Sequence, residues 1–476
     1  MTPVRRAITV LAVVVLLAGP SALAFFQGGY FDLARLVAGA IAWVLFGVAA
    51  LLSPQPLPRG RGGRIAFAGL ALLTIWTGAS IAWAPLSTPA TDSLQRLLLY
   101  VAAFGAAAAI LRDSRARMAV EPALALGTLV VVLYGLSDRL LPGIFDLSRS
   151  TGAIGRLEQP LTYWNAMGAL AALGVLLATR VAADSARTRA MRAAAAAGSV
   201  PLAVGVWLSY SRGAVAALAV GLLALAALAR TRAQLVAIGV TLVAGVPAAA
   251  VADGLDGVRA LQGSTSSREH DGLVMLAILL ALAALAAAAA WRASSLRPRP
   301  LALPRWAPVA IGATIVAVGA AVVLVAARDR GHAAASGASS QRLQSVESNR
   351  YDYWGVALDH GFAPDPLKGI GAGGFAVIWL EYRHVPERAK VAHSLYVETL
   401  AELGIVGFVF LLAFLVGVGM AAGHAWRIAP ARTAGPAAAL VVWATHSAID
   451  WDWEMPALTL VAIVLAGMLV ATGEAA

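Results

Sequence analysis

The sequence contains no cysteine and few charged residues. The absence of cysteine from all 476 residues excludes disulfide bonds, thiolate metal sites and a cysteine nucleophile. Charged residues make up 13% of the chain, which is about half of their share in soluble proteins. With 60% hydrophobic residues and a mean hydropathy of +0.78, the chain is too apolar for one water-soluble core. The composition indicates a membrane protein.

Long apolar runs predict transmembrane helices. A helix needs roughly 17 to 25 apolar residues to cross a hydrocarbon layer of about 30 Å, and the sequence contains fourteen such runs. They begin near residues 7, 33, 65, 94, 120, 161, 193, 213, 233, 272, 306, 393, 434 and 456. We predict an all-α, polytopic membrane protein with about 14 transmembrane helices, in which residues 1–476 form a single integral membrane domain.

The centres of the predicted spans lack Asp, Glu, Lys, Arg and His. Buried ionisable groups mark ion and proton pathways, so an ion-coupled transporter is disfavoured. Basic residues accumulate in short cytoplasmic loops. With the N-terminus inside, the inner segments hold 20 of the 36 basic residues and only four acidic ones. The net charge of +11 therefore reflects the orientation of the chain in the membrane, and no nucleic-acid partner is predicted.

The N-terminus fits two interpretations. Arg5 and Arg6, the apolar run that follows them and the small residues at 22–24 are also typical of a cleavable signal peptide. We favour a retained first helix. The next span runs from outside to inside in either case.

Residues 328–392 form a long extracytoplasmic loop of the kind that usually carries function. Asn349 is expected to cap a short interfacial helix with Tyr351 and Trp354 on one face. The glycine-rich KGIGAGGF follows. We interpret it as a tight loop that brings backbone segments together, because a nucleotide site would need a preceding strand.

Three residues are candidates for substrate binding or catalysis. Arg212, in the outer turn SYSRG, and Arg350, at the start of the interfacial helix, can each grip a phosphate through two hydrogen bonds. For Arg212 the alternative is a contact with a lipid headgroup or an ion pair with an outer acid. For Arg350 the alternative is a pair with a residue two positions away or a solvated surface charge. His393 precedes an outer helix end, where an imidazole can accept a proton from a hydroxyl; a structural role is its alternative. Glu398 and Glu402 are interpreted as polar lining or as partners of loop arginines.

Two further motifs lie at outer helix ends. HSAIDWDWEMP carries the acidic cluster His446, Asp450, Asp452 and Glu454. Carboxylates suit calcium or magnesium, but regular ligand spacing is missing. We expect no metal here, and instead helix capping with the two tryptophans as interface anchors. In EQPLTYWNAMG, Tyr163, Trp164 and Asn165 are candidate sugar contacts, although interface anchoring is favoured, and Arg383 is a further candidate contact.

The segments GRLEQPLTYWNAMGAL, LSYSRGA, NRYDYWGVALDHGFAPDPLKGIGAGGF and HSLYVETLAELGIVG resemble, in this order, the O-antigen ligase and O-antigen polymerase superfamily of bacterial envelope enzymes. The resemblance covers roughly residues 150 to 410. The fourteen predicted spans exceed the twelve or so that are usual for ligases.

The resemblance implies a multi-pass glycosyltransferase of the C-type architecture in the bacterial plasma membrane, with its active site facing the extracytoplasmic side. It would transfer a glycan from a polyprenyl diphosphate to a lipid, glycan or protein acceptor, with inversion and without a metal or cofactor. Arg212 and Arg350 would hold the diphosphate, and His393 would activate the acceptor hydroxyl. A polymerase of lipid-linked repeat units is the main alternative, and a flippase or an envelope-assembly scaffold is disfavoured.

Overall fold

The computed structural model describes residues 3–53, 55–295, 338 and 349–475. These residues form sixteen α-helices and no β-strand, as the predicted all-α fold requires. In chain order the helices are α1 (Pro3–Ala24), α2 (Asp32–Leu52), α3 (Arg61–Ser80), α4 (Ser87–Ile110), α5 (Ser114–Leu140), α6 (Trp164–Ala183), α7 (Arg189–Leu208), α8 (Arg212–Ala229), α9 (Arg232–Gly254), α10 (Asp256–Arg259), α11 (Thr265–Ala293), α12 (Arg350–Val356), α13 (Phe375–Tyr382), α14 (Leu395–Ile428), α15 (Pro430–His446) and α16 (Pro456–Glu474).

Twelve of these helices are long and apolar enough to cross a membrane, namely α1 to α9, α11, α14 and α16. The chain is therefore a polytopic membrane protein. Helix α15 lies where the thirteenth span is predicted, but it has only 17 residues. The predicted span near residue 306, like residues 328–337 and 339–348 of the outer loop, lies outside the described residues. The count of fourteen thus stays a prediction.

Contacts between helix ends define two opposite faces of the bundle. At one face, the Glu474 carboxylate accepts a hydrogen bond of 2.7 Å from the backbone N–H of Arg59 and pairs with Arg112 at 2.7 Å. At the other face, Glu454 pairs with Arg96. We call this second face the loop face. It is built from the connections at residues 25–31, 81–86, 141–163, 209–211, 255–264, 349–394 and 447–455.

Helix α14 breaks at Gly404, where φ is +64° and ψ is −168°. Backbone groups near the break bond to the preceding loop instead of to their own helix. The N–H of Ile405 donates to the carbonyl of Pro366 at 2.8 Å, and that of Val406 donates to Leu367 at 3.2 Å. The loop therefore replaces helical hydrogen bonds that the break removes.

The glycine-rich turn at residues 368–375 completes this contact. The Gly371 N–H donates to the backbone carbonyl of Glu402 at 2.8 Å, and the Glu402 carboxylate accepts from the N–H groups of Gly373 and Phe375 at 2.8 and 3.0 Å. The interpretation of this turn as a close backbone approach is confirmed. Glu402 binds the loop backbone and lines a pocket, so the structure supports polar lining, the first of its two expected roles, over pairing with a loop arginine.

We expect Gly404→Ala to destabilise the protein. A Cβ at this position would lie 2.2 Å from the Leu367 carbonyl oxygen, and the backbone conformation costs a non-glycine residue about 1–3 kcal/mol. The thermal unfolding midpoint of the detergent-solubilised protein should fall by about 3 °C or more. Gly419→Ala in the same helix, where nothing lies within 4 Å of an added Cβ, is the matched control. Equal midpoints for the two variants would contradict this account of the break.

Candidate active site

A polar cavity of about 550 Å³ opens on the loop face. Five of the residues singled out from the sequence line it: Tyr163, Asn165, Arg212, Arg350 and His393. They come from the turn before α6, the first turns of α6, α8 and α12, and the turn before α14. Residues that are far apart in the sequence thus share one chamber.

Asp450, in the turn between α15 and α16, joins several of these residues. Its side chain is 1% exposed. One carboxylate oxygen accepts from the Tyr163 hydroxyl at 2.7 Å, and the other accepts from the Asn165 amide at 2.7 Å and from the Arg350 guanidinium. Although burial alone would raise the pKa of Asp450, the Arg350 guanidinium lowers it below its usual value. Asp450 is therefore an anion that fixes three cavity side chains.

Arg350 is the first residue of α12, and its side chain is 20% exposed. Burial alone would lower the pKa of Arg350, but Asp450 raises it above the usual value, so the guanidinium is always charged. Asn349 does not cap this helix as expected. Its amide instead donates to the Glu387 carboxylate at 2.5 Å, because Glu387 lies beside the helix start.

Arg212 opens α8 directly after the helix cap. The Ser211 hydroxyl accepts from the N–H of Ala214 at 3.2 Å, which closes the first turn. Arg212 is half-buried and lines the cavity. The N-terminus of a helix also carries a partial positive charge. This corner of the cavity is therefore suited to an anion.

His393 lies immediately before α14 in a left-handed backbone conformation, with φ of +54°. Its Nδ1 lies 3.0 Å from the Val391 carbonyl oxygen. Because a carbonyl only accepts, Nδ1 carries the proton and Nε2 holds the free lone pair. Burial lowers the pKa of His393 below its usual 6.5, and the Asp450 carboxylate offsets part of this shift. The ring is therefore neutral at neutral pH and can accept a proton.

The backbone beside His393 is held from two sides. The carbonyl of Ala392 accepts from the Trp354 indole at 3.0 Å, and its N–H donates to the Glu398 carboxylate at 2.7 Å. Glu398 therefore binds the backbone before α14 and also lines a pocket, which supports the expected polar lining over pairing with a loop arginine. The His393 ring also contacts Tyr353, with 5.2 Å between ring centroids. These contacts fix the orientation of the imidazole.

Aromatic side chains form one wall of the cavity. The rings of Tyr163 and Trp451 lie 4.3 Å apart, and Tyr30 packs against Trp451 at 5.5 Å. The guanidinium of Arg156 lies 3.6 Å above the Trp164 ring. The rings of Tyr163 and Trp451 line the cavity, and their expected anchoring at the membrane interface stays a prediction. A flat apolar wall with polar edges is suited to a sugar ring.

The three carboxylates of the acidic cluster take separate partners. Asp450 pairs with Arg350, Glu454 pairs with Arg96, and Asp452 lies 2.7 Å from Nδ1 of His446. They act in ion pairs and not as the helix caps that we expected. Trp453 is 8% exposed and packs on Tyr100 at 4.9 Å between ring centroids. It is buried in the bundle, so its expected role as an interface anchor is wrong.

Arg383 lies outside the lining of the cavity. Its guanidinium donates to the backbone carbonyls of Pro386 at 3.4 Å and of Glu387 at 3.1 Å. It thus supports the segment that borders the cavity. The central position of Asp450 is not predicted from the sequence, although the acidic run DWDWE at residues 450–454 is the feature that points to this turn.

Together these features define a polytopic membrane protein with a cavity that carries basic residues, a neutral histidine and an aromatic wall. Residues 270–412 match the family model described as O-antigen ligase. The match contains Arg350, the glycine-rich turn and His393, and it confirms the resemblance to the O-antigen ligase and polymerase superfamily. The family implies ligase-type or polymerase-type transfer of lipid-linked glycans. No curated protein shows a significant match to the chain.

We expect Asp450→Asn to destabilise the protein by about 2 kcal/mol or more, because it removes the negative charge that faces the mostly buried Arg350. Arg350→Gln should be destabilising too, since it leaves Asp450 buried without that cation. The double variant should lose less stability than the two single variants together, measured by thermal unfolding. If the double variant instead loses the sum of the two single losses in stability, the interaction between Asp450 and Arg350 does not stabilise the fold.

Proposed function

We propose that this protein is an inverting membrane glycosyltransferase that moves a glycan from a polyprenyl diphosphate to an acceptor hydroxyl at the outer face of a bacterial plasma membrane. One observation carries the proposal: Arg212, Arg350 and His393 line a single cavity although they lie in separate parts of the chain. Ligase and polymerase activities share this donor chemistry. They differ in the molecule that brings the accepting hydroxyl.

Arg212 and Arg350 would hold the diphosphate. Its negative charge grows as the bond to the sugar breaks, and fixed cations that face the departing group stabilise this charge in the transition state. Both guanidinium groups stay charged at any relevant pH. Asp450 orients Arg350, and α8 positions Arg212 at its first turn.

His393 would act as the general base. Its Nε2 takes the proton of the acceptor hydroxyl while the hydroxyl oxygen attacks the anomeric carbon. The bond between that carbon and the diphosphate oxygen breaks on the opposite face, its electron pair leaves with the diphosphate, and the configuration inverts. The Val391 carbonyl keeps Nε2 unprotonated at the start of the reaction.

An apolar groove of about 830 Å³ between α1 and α2 would receive the polyprenyl chain. Gln27 and Phe31 line the groove, and Tyr30, which lies between them in the same turn, lines the polar cavity. The two chambers therefore adjoin. A lipid with a charged head and a long apolar tail fits this pair of environments. The excess of basic residues at the opposite face supports an outward orientation of the loop face.

The decisive experiment uses the full-length protein reconstituted with a synthetic undecaprenyl-diphosphate-linked trisaccharide and a glycolipid extract as acceptor. We expect release of undecaprenyl diphosphate, and His393→Ala should slow it by about 100-fold to 10,000-fold. The rate should fall at low pH with a midpoint below 6.5, because protonation of His393 removes the base and its pKa is lowered. His384→Ala changes an exposed histidine outside the cavity and serves as control. A wild-type rate for His393→Ala would refute the assignment.

The groove makes a separate prediction. Gly19 lines it and Gly39 does not, and an added Cβ meets nothing within 4 Å at either position. Gly19→Trp should fill the groove and raise KM for the undecaprenyl donor by about tenfold, which corresponds to about 1.4 kcal/mol of binding. A donor with a short prenyl chain should be affected less. Gly39→Trp is the matched control, and an equal effect of both variants would argue against a lipid tail in this groove.

A further inference from the structure

The wall of the polar cavity carries more positive charge than a diphosphate needs. Its lining includes five basic side chains, Arg156, Arg212, Arg350, Arg388 and Lys390, and one acidic side chain, Glu387; Asp450, which pairs with Arg350, is not part of the lining. A sugar-linked diphosphate has two negative charges, which the proposed function assigns to Arg212 and Arg350. Arg156 is 5% exposed, covers the Trp164 ring and donates to the carbonyls of Ala153 and Gly152. Arg388 and Lys390 are the two basic side chains of the lining that still lack a role.

Arg388 and Lys390 lie five and three residues before His393, and both are exposed. No carboxylate of the described residues forms an ion pair with either one. The acid next to Arg388 is engaged elsewhere, since the Glu387 carboxylate accepts from the Asn349 amide at 2.5 Å and from the Tyr353 hydroxyl at 2.6 Å. The two cations therefore face the cavity without a neutralising partner in the described part of the chain.

The segment that carries these cations is pinned at both ends. The Trp379 indole donates to the Glu387 carbonyl at 2.9 Å, and the Trp354 indole donates to the Ala392 carbonyl at 3.0 Å. Between them, Ala389 is 8% exposed and packs in an apolar cluster with Trp379. With the intervening Ala389 packed inward, the exposed side chains on either side of it are presented together. The backbone that carries Arg388 and Lys390 is thus held in place beside the cavity.

We infer that the acceptor glycan is anionic and that Arg388 and Lys390 bind its carboxylate or phosphate. The inference rests on the proposed function, in which the attacking hydroxyl lies beside His393. Three residues of extended chain span at most about 10 Å, so Lys390 can reach a group on the sugar that reacts or on its neighbour. Two cations on a held backbone segment near the base would select acidic over neutral acceptors and position the acceptor beside His393.

The test measures binding without turnover. Full-length protein in phosphatidylcholine nanodiscs is titrated at low salt with hexagalacturonic acid and with the same oligosaccharide after reduction of its carboxyl groups. Maltohexaose and phosphorylated maltohexaose form a second pair. We expect the acidic member of at least one pair to bind about tenfold more tightly, as two ion pairs near a protein surface allow. The pair with the larger difference identifies the anion.

The double variant Arg388→Gln/Lys390→Gln should reduce this preference to about twofold or less. The control Lys368→Gln/Arg259→Gln removes the same charge at the loop face outside the cavity and should keep the tenfold preference. Equal binding of acidic and neutral sugars by the wild-type protein would overturn the inference. So would a preference that survives in the Arg388 and Lys390 double variant. Because no donor is present, a failed His393→Ala experiment would leave this result unchanged.

Discussion

The ion pair between Asp450 and Arg350 is the interaction on which the cavity depends. A guanidinium that is mostly buried is costly unless an anion and further hydrogen bonds compensate for the lost water. Asp450 supplies that anion, and its remaining acceptor positions hold Tyr163 and Asn165. One carboxylate thus ties the turn before α16 to the starts of α6 and α12. The positions of the charge and of the aromatic wall follow from the same contact.

The second constraint is the exchange of backbone hydrogen bonds at Gly404. His393 lies two residues before the first residue of helix α14, and the loop that precedes this helix returns to bond with the broken turn. Neither segment could satisfy its own backbone groups alone in an apolar environment. The loop and the membrane helix therefore form one unit. This unit connects the short helix of Arg350 with the imidazole of His393, although the chain between them is largely irregular.

The sequence predicts what is encoded locally. Hydropathy acts within each segment, so the transmembrane helices could be located from apolar runs alone. Arg212, Arg350 and His393 stand in short motifs and could be selected as candidates. The role of Asp450 could not be predicted, because its partner Arg350 is 100 positions away and the acidic run fits capping or metal binding equally well. The same limit applies to Trp453, since a tryptophan near a helix end suits either the interface or the interior.

The contrast between two histidines explains why one of them suits base catalysis. His446 is fully buried, bonds to the Asp452 carboxylate and does not line the cavity. His393 faces the cavity and bonds to a neutral carbonyl. A carboxylate partner favours the imidazolium form, whereas a carbonyl sets the tautomer without adding negative charge. The Arg350 guanidinium also disfavours protonation of His393. The charge that would bind a diphosphate thus helps to keep the proposed base ready to accept a proton.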